Sequence, residues 1–390
     1  MIKYEPISYN MVVSLKNNYD VIIVGAGPAG SMTAKTVAEA GADVLLIERH
    51  THIGQPVRCA EGINTSLFKD TGIPKQDSFI EQEIKGARLY LYEDTHDVSS
   101  SQWTGYILDR KRFDPYLAQL AEKAGAEVLT GTKATGLKRV QKKWEVTIQS
   151  PEELRSITAD IVVGADGFEC SIGKWAGIAP RWKNTEYSTC YELVLDCPSL
   201  KENHLFHIAL GQEFPNGYGW IFPKKHIANV GVAVTPGKQP KQALEFFINH
   251  YPGIAEVIGE EYHIIERRGG GIPTAGPRTL DHIVGDGILL VGDAAGMVEP
   301  FTGEGIASSI LSGKAAGETI TTCLNNNTWE KEHLRLYEQQ WKQQPYIDST
   351  LGENMEYMKE IYQEIQKYLT GKSLTKERKT EFMEALRSLE

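Results

Sequence analysis

The sequence predicts an α/β protein built around a parallel sheet, and three observations support this prediction. Residues 19–48 hold two short apolar runs, separated by a glycine-rich turn and an alanine-rich segment. Two later apolar runs end in the turns "GADG" (164–167) and "VGDAAG" (291–296). A stretch of small residues, "EGIASSILSGKAAGETI", follows the second turn. Buried parallel strands are continuous apolar runs, and small residues let a helix pack closely on a sheet.

Composition narrows the class of protein. The chain has 390 residues, is 41% hydrophobic and contains 37 glycines, which indicates a globular protein of more than one domain. Its net charge of −10 argues against a nucleic-acid partner, since phosphate binding needs a basic surface. The five cysteines form no C-x-x-C pair and the ten histidines no convincing ligand set. We therefore expect no metal site and a reducing compartment.

The chain shows no sign of a membrane-spanning or secretory segment. No apolar run approaches the roughly 18 residues that cross a bilayer. Residues 1–18 lack the basic start and apolar centre of a signal peptide, so we interpret them as a tail or as preceding an alternative start at Met11. We therefore expect a protein that is cytosolic or lies on a membrane surface.

The first unit has the order strand, helix, strand. Tyr19–Val24 is predicted as a buried strand, and residues 28–40 as a helix that ends at Gly41. Val44–Ile47 forms a second strand, closed by Glu48. This spacing is typical of the Rossmann-type βαβ unit, whose strands are parallel.

The turn of this unit carries the pattern Gly-x-Gly-x-x-Gly and predicts a dinucleotide site. Gly25 permits the tight turn, Gly27 lets the backbone approach a pyrophosphate, and Gly30 allows helix–strand packing. Ala29 lies in the same turn, where the helix N-terminus offers free N–H groups to phosphates. Glu48 suits the two ribose hydroxyls, which disfavours NADP. The motif alone leaves NAD and FAD open.

Later segments decide for FAD. They are the turns at 164–167 and 291–296, "PFTGEGI" at 300–306 and Arg-x-x-Phe-Asp at 110–114. In this order they resemble the flavoprotein fold of para-hydroxybenzoate hydroxylase and its relatives, over roughly residues 19–320.

The resemblance implies specific FAD contacts. Asp293 corresponds to the aspartate near the ribityl chain or pyrophosphate, and Arg110 to the arginine of Arg-x-x-Phe-Asp. Backbone contacts to the flavin ring correspond to Gly305 and Ile306, and a strand beside the adenine to Ala134. A helix that starts near Gly305 would favour the anionic reduced flavin by about 1–2 kcal/mol. Only one glycine-rich βαβ unit is visible, so an external donor (ferredoxin, deazaflavin or nicotinamide) is expected.

The overall prediction is an α/β, para-hydroxybenzoate-hydroxylase-like FAD fold with a Rossmann-type parallel sheet, an antiparallel-sheet substrate domain and a C-terminal helical region. The predicted domains are a discontinuous FAD-binding domain (19–85, 108–180 and 270–327), a substrate domain (86–107 and 181–269) and the helical region 328–390. Within them the patterns predict strands at 87–94 and 101–110, a helix then a strand over 112–129, and helix at 241–260.

Two further motifs indicate the activity. The stretch "GYGWIFPKK" (217–225) contains Tyr-x-Trp-x-Phe-Pro, which departs from the Trp-x-Trp-x-Ile-Pro of flavin halogenases and resembles the geranylgeranyl reductase family. The loop "GQPVRCAEGI" (54–63) resembles that family's Pro-x-x-Cys-x-x-Gly loop beside the flavin, which places Cys59, Ala60 and Gly62 at cofactor contacts. With "GGGIPTAGP" (269–277), the resemblance is to the archaeal digeranylgeranylglycerophospholipid reductases.

The aromatic residues of the first motif have two interpretations. Tyr218, Trp220 and Phe222 alternate, so they share one strand face, and such faces are usually sheet core. The resemblance favours the wall of an apolar tunnel for the substrate, with Pro223 ending the strand at the flavin. Lys224 and Lys225 could meet a phosphate head group or could simply be solvated.

The proton donor is less defined. Cys59 could be a thiol near flavin N5, its thiolate favoured by Arg58, or a small packing residue. Cys59 and Tyr218 are the candidate catalytic residues. No charged acid–base pair is evident, as expected of an apolar site.

The resemblance implies FAD-dependent reduction of isolated double bonds in geranylgeranyl chains of archaeal phospholipid precursors, by hydride from flavin N5 and a proton. The isoprenoid lipid that the resemblance implies leads us to expect a cytoplasmic protein that is peripheral on the cytoplasmic face of the membrane. One alternative is a flavin monooxygenase that hydroxylates a small aromatic or a quinone. Another is a flavoprotein that only transfers electrons and needs no apolar tunnel.

Overall fold

The computed structural model describes residues 15–91, 94–99, 103–300 and 302–343. Its strands are β1 (Asn18–Val24), β2 (Val44–Ile47), β3 (Gly62–Asn64), β4 (Ile80–Ile84), β5 (Gly86–Leu91), β6 (Asp94–Val98), β7 (Gly105–Leu108), β8 (Glu127–Leu129), β9 (Lys133–Val140), β10 (Lys143–Gln149), β11 (Leu154–Gly164), β12 (Ser188–Asp196), β13 (Leu205–Ala209), β14 (Gly219–Lys224), β15 (Ile227–Val234), β16 (His263–Ile272), β17 (Val284–Gly285) and β18 (Ile288–Leu290). Its helices are α1 (Pro28–Glu39), α2 (Leu67–Thr71), α3 (Arg110–Lys123), α4 (Ser171–Trp175), α5 (Pro240–His250), α6 (Ile254–Ile258), α7 (Ile306–Asn325), α8 (Lys331–Leu334) and α9 (Leu336–Lys342).

The first sheet is the predicted parallel one. Its order is β17-β18-β11-β1-β2-β8, and β1, β2, β8, β11 and β18 run parallel. The β9–β10 hairpin joins it through an antiparallel pair with β11. Both β1 and β2 are almost entirely buried, which explains their continuous apolar sequence.

The second sheet has seven strands in the order β16-β12-β15-β14-β13-β5-β6. All its pairs are antiparallel except β13 with β5, which is parallel. A small antiparallel sheet, β3-β7-β4, lies in the same part of the chain sequence as β5 and β6. The predicted fold class, a Rossmann-type sheet with an additional antiparallel sheet, is confirmed.

The helix of small residues packs as expected. It is α7, and Gly313 lies so close to the carbonyl group of Ala29 in α1 that a Cβ atom would overlap it. Gly317 lies against Thr36 in the same way, because a Cβ atom at Gly317 would lie 2.5 Å from the Thr36 Cβ atom. The two helices therefore approach each other at backbone distance, which larger side chains would prevent.

Several predicted elements differ in detail. The helix predicted at 241–260 is divided into α5 and α6, because Pro252-Gly253 interrupts it and Gly253 adopts a φ of 79°. The strand predicted at 101–110 is limited to β7, and the one at 87–94 is β5 followed by the start of β6.

The domain limits remain a prediction, and the one at 269/270 falls inside β16. Met11 and residues 344–390 of the predicted helical region lie outside the described residues. None of the helices in the described part of the chain has the length and apolar character that a bilayer crossing requires.

Candidate active site

The glycine-rich turn is packed tightly on one side and open on the other. Gly25 has a φ of 107°, and a Cβ atom there would overlap the carbonyl oxygen of Ala165 at the end of β11. A Cβ atom at Gly30 would overlap the Gly25 carbonyl oxygen. At Gly27 nothing lies within 4 Å of such an atom. The turn is thus fixed against the sheet, with free room over Gly27 at the start of α1.

Glu48 closes β2 beside this turn, and its carboxylate is held by backbone groups. One oxygen accepts the N–H of Ala26 at 3.1 Å, and the other accepts the N–H of His50 at 2.9 Å. His50 Nδ1 also lies 2.6 Å from this second oxygen. These contacts fix the carboxylate at the cavity wall, in the position that the sequence predicts for a ribose contact.

A single cavity of about 1210 Å³ begins at this turn. It is larger than the roughly 300–1,000 Å³ of an ordinary ligand pocket, as expected for two ligands. Nearly all the predicted site residues line it. They are Gly25, Gly27, Ala29, Glu48, Cys59, Ala60, Gly62, Arg110, Ala134, Tyr218, Trp220, Phe222, Asp293, Gly305 and Ile306. Gly30 does not line the cavity, because it packs under the turn.

The N-terminus of α7 lies at the same cavity. Gly305 is its N-cap, and a Cβ atom there would lie 3.5 Å from an Asp293 carboxylate oxygen. Burial raises the pKa of Asp293. Glu304, which the sequence analysis missed, accepts the N–H of Ala307 at 3.1 Å, and burial raises its pKa to about 7. The partial positive charge of a helix N-terminus favours ionised carboxylates, but burial outweighs this effect for both groups.

Tyr218, Trp220 and Phe222 all face the cavity. The rings of Tyr218 and Trp220 meet edge to face at 5.8 Å, and Phe222 lies 4.8 Å from the ring of Phe206. The Tyr218 hydroxyl donates to the carbonyl oxygen of Thr302.

The expectation that Pro223 ends the strand is wrong. β14 continues through Pro223 to Lys224, because β13 has already ended its pairing at Ile221.

Cys59 lies in the loop before β3, with its thiol as an acceptor for the N–H of Glu61 at 3.2 Å. Burial raises the pKa of this thiol, and nearby Arg110 offsets only part of that effect. The expectation that Arg58 favours the thiolate is wrong, because Arg58 instead pairs with Glu169 at 3.5 Å. Arg110 itself forms a two-point pair with Asp114 at 2.6–2.7 Å.

A buried ion cluster lies beside Cys59, and the expectation of a site without charged pairs is wrong. Its centre is Glu61, which is 1% exposed and has a φ of 70°. One Glu61 oxygen accepts from Lys224, from Arg268 at 3.1 Å and from Asn229 at 2.9 Å. Burial alone would raise the pKa of Glu61, but Lys224 and Arg268 outweigh it, so the pKa is lowered.

The two lysines of the motif therefore differ. Lys224 is 13% exposed and bound to Glu61, whereas Lys225 is 66% exposed and lies 3.3 Å from Glu81. Sequence reasoning missed the cluster because its members come from four separate segments. Two members lie in the motifs quoted above, Glu61 between Cys59 and Gly62 and Lys224 after Pro223, but neither motif indicates that they pair.

Comparison with known proteins identifies the family. A family model described as "FAD binding domain" matches residues 18–343. Digeranylgeranylglycerophospholipid reductase of Methanocaldococcus jannaschii is 38% identical over 337 residues, 85% of this chain and 84% of the relative. That of Methanothrix thermoacetophila is 38% identical over 336 residues, 83% of each. The chain belongs to this reductase family.

Solved structures agree with this assignment. A geranylgeranyl bacteriochlorophyll reductase-like protein of Thermoplasma acidophilum superposes with a TM-score of 0.81, at 30% identity over 91% of both chains. The halogenase PltM with FAD superposes at 0.66 with 16% identity, covering 87% of this chain and 76% of the halogenase, and so shares the fold. FAD is the cofactor of the family, and the monooxygenase alternative is not favoured.

The cavity also fits FAD on its own geometry. The turn offers open room at Gly27 in front of the α1 N-terminus, which suits a pyrophosphate. Asp166 lies just after β11, and Glu304 lies in the loop before α7. Each has one buried carboxylate oxygen that finds no hydrogen-bond partner among the described residues. Both residues line the cavity, so a polar ligand can complete their hydrogen bonding.

Proposed function

We propose that this protein reduces isolated carbon–carbon double bonds of geranylgeranyl chains; its relatives are named digeranylgeranylglycerophospholipid reductases. The observation that carries the proposal is that one cavity joins the nucleotide turn to an apolar arm. The arm is lined by Leu89, Phe206, Ile208, Leu210, Trp220 and Phe222. A prenyl chain gains roughly 0.8 kcal/mol per buried CH₂ group there, which offsets its removal from a bilayer.

The chain's own residues bind and orient both partners. We assign Gly27 and the α1 N-terminus to the pyrophosphate, Glu48 to the ribose, and Gly305 with Ile306 to the flavin ring. When bound and reduced, FAD supplies the hydride for one alkene carbon. The aromatic wall positions the double bond and excludes water, which an unactivated alkene requires because it is a poor hydride acceptor.

The electron donor and the membrane are the external partners in this proposal. The structure describes one glycine-rich βαβ turn, so we assign the reducing equivalents to a separate donor that docks transiently. The lipid substrate resides in a bilayer, so we infer peripheral contact with the membrane surface. Flotation with vesicles of prenylated phospholipid tests this contact, and a protein that stays at the bottom of the gradient rules it out.

An anaerobic reaction tests the function itself. The purified protein with FAD is reduced with dithionite and mixed with a geranylgeranylated phospholipid. We expect flavin reoxidation together with a lipid mass gain of two hydrogens per double bond. A flavin that stays reduced until oxygen is admitted, and then hydroxylates an aromatic compound, would establish the monooxygenase instead.

A further inference from the structure

Four residues form one row across the second sheet. Trp220 in β14 pairs with Gly231 in β15, Gly231 with Glu192 in β12, and Glu192 with Arg268 in β16. A Cβ atom at Gly231 would overlap the Trp220 ring, so the indole lies flat across this glycine. Its N–H thereby reaches an oxygen of Glu192 at 3.1 Å. Trp220, Glu192 and Arg268 all line the cavity.

Of the three carboxyl groups that Arg268 contacts, Glu192 has the weakest charge compensation. Arg268 Nη1 is shared between Glu192 at 3.0 Å and Glu61 at 3.1 Å, and its Nη2 donates to Glu266 at 3.1 Å. Glu61 has Lys224 as a second cation, and Glu266 has Lys111 at 3.3 Å. For Glu192 the described residues supply only the shared arginine.

Burial and the Glu61 carboxylate favour the neutral form of Glu192, and they outweigh the hydrogen bond from Trp220, which favours the ionised form. Burial raises its pKa to about 7, Arg268 lowers it in part, and the Glu61 carboxylate raises it further. Cys190 lies two residues earlier in β12, and burial raises the pKa of its thiol to about 12, so it stays neutral. Glu192 is 4% exposed and faces the aromatic wall, so its proton is shielded from bulk water but not from the cavity.

The two residues that the sequence offers as proton donors are weaker acids. Burial raises the pKa of both the Cys59 thiol and the Tyr218 hydroxyl. The Tyr218 hydroxyl is also already committed to the carbonyl oxygen of Thr302. A general acid is most effective when it loses its proton near the ambient pH, and Glu192 meets this condition.

Building on the proposed function, we propose that Glu192 is the general acid of double-bond reduction, and that Arg268 and Trp220 hold its conjugate base. The hydride electron pair forms a C–H bond at one alkene carbon while the π bond breaks. The π electrons take the Glu192 proton at the other carbon. The resulting carboxylate keeps its two hydrogen bonds, from Arg268 and from Trp220, and regains a proton from water.

The test is the pH dependence of a single anaerobic turnover. Dithionite-reduced holoenzyme is mixed with geranylgeranylated phospholipid in detergent between about pH 6 and pH 9, and flavin reoxidation and lipid mass are followed. We expect the wild-type rate to fall as pH rises through about 7. Glu192→Gln should be slower by roughly 100-fold or more and independent of pH. A wild-type rate that does not change over this range, or a Glu192→Gln variant that keeps the wild-type profile, overturns the proposal.

Glu266→Gln is the matched control. It removes a carboxylate from the same arginine but not from the cavity, because Glu266 is absent from the cavity wall. We expect it to retain the wild-type pH profile. If Glu266→Gln lost the pH dependence of the rate as fully as Glu192→Gln, the effect would arise from Arg268 and not from the Glu192 proton, which would overturn the proposal.

Two further readouts cover failure to fold and failure of the function. Glu192→Asp keeps a carboxyl group, so its turnover should be slower but still pH-dependent. The infrared difference between the wild type and Glu192→Gln, followed against pH, should show one carboxyl group that titrates near pH 7. If this infrared signal is absent, the proposal is overturned, and this result does not require an active enzyme. A wild-type enzyme that leaves the lipid unreduced would refute the proposed function, whereas full activity of Glu192→Gln would refute only the role of Glu192.

Discussion

The nucleotide end and the substrate end of the cavity are built by different means. At the nucleotide end, backbone shape dominates: Gly25, Gly27 and Gly30 lie within six residues and create a tight turn with open room. At the substrate end, side chains from distant segments meet, and Glu61 binds Lys224 and Arg268 across more than 160 positions of sequence. The first kind of site is set by a local motif, whereas the second exists only after the loop before β3 has packed against the second sheet.

The largest effect should come from the tightly packed side of the turn. Gly30→Ala places a methyl group onto the Gly25 carbonyl oxygen, so we expect the folded protein to lose most of its stability or to fail to accumulate. Gly27→Ala is the matched control, because its Cβ atom meets nothing within 4 Å and its φ of −72° suits any residue. It should unfold like the wild type but retain much less FAD, as measured by thermal unfolding and flavin content. Equal stability of the two variants would contradict this account of the turn.

The ion cluster provides the corresponding test at the substrate end. Lys224→Met leaves the Glu61 carboxylate with less compensation at 1% exposure, so we expect the free energy of unfolding to fall by about 3–5 kcal/mol. Lys225→Met, at an exposed pair, should change it by less than about 1 kcal/mol. Denaturant titration measures both. Similar losses in the two variants would mean that the cluster is not the stabilising feature we describe.

A smaller effect is expected in the pH dependence of stability. The pKa of Glu192 is raised by burial from the usual 4.5 to about 7, so between these values the folded state binds more protons than the unfolded chain. The free energy of unfolding should therefore decrease as pH rises from about 4.5 to 7, by at most about 3 kcal/mol from this group. Glu192→Gln should flatten this part of the curve, measured as melting temperature against pH. An unchanged slope would place the proton elsewhere.

The smallest effect concerns the position of the Trp220 ring, which belongs to the aromatic wall and also donates to Glu192. Gly231→Ala displaces the Trp220 ring, so we expect the KM for prenyl lipid to rise roughly tenfold while flavin content stays normal. Gly136→Ala in β9 is the control, because its Cβ atom meets only ordinary contacts at 3.5–3.6 Å. Steady-state kinetics with a chemical reductant measure the difference. A loss of FAD in Gly231→Ala would show that the two ends are not separable.

The same contrast explains what the sequence could predict. The βαβ unit, the turn and the α7 N-terminus follow from apolar runs and glycine spacing, and the structure contains them as predicted. The prediction for Pro223 is wrong because a strand can contain proline where no neighbouring strand needs its N–H group. Here that depends on where β13 ends its pairing with β14, which is a property of the sheet. The roles of Glu192, Arg268 and Gly231 could not be predicted from the sequence. They depend on the strand register that places these residues side by side on β12, β16 and β15.

A structure with FAD and a geranylgeranylated lipid bound tests most directly whether both ends of the cavity serve one reaction. We predict the pyrophosphate over Gly27 and the prenyl chain along Trp220 and Phe222, with a double bond between the flavin ring and Glu192. A lipid bound on another surface, with the three aromatic rings closed over an empty arm, would contradict the account.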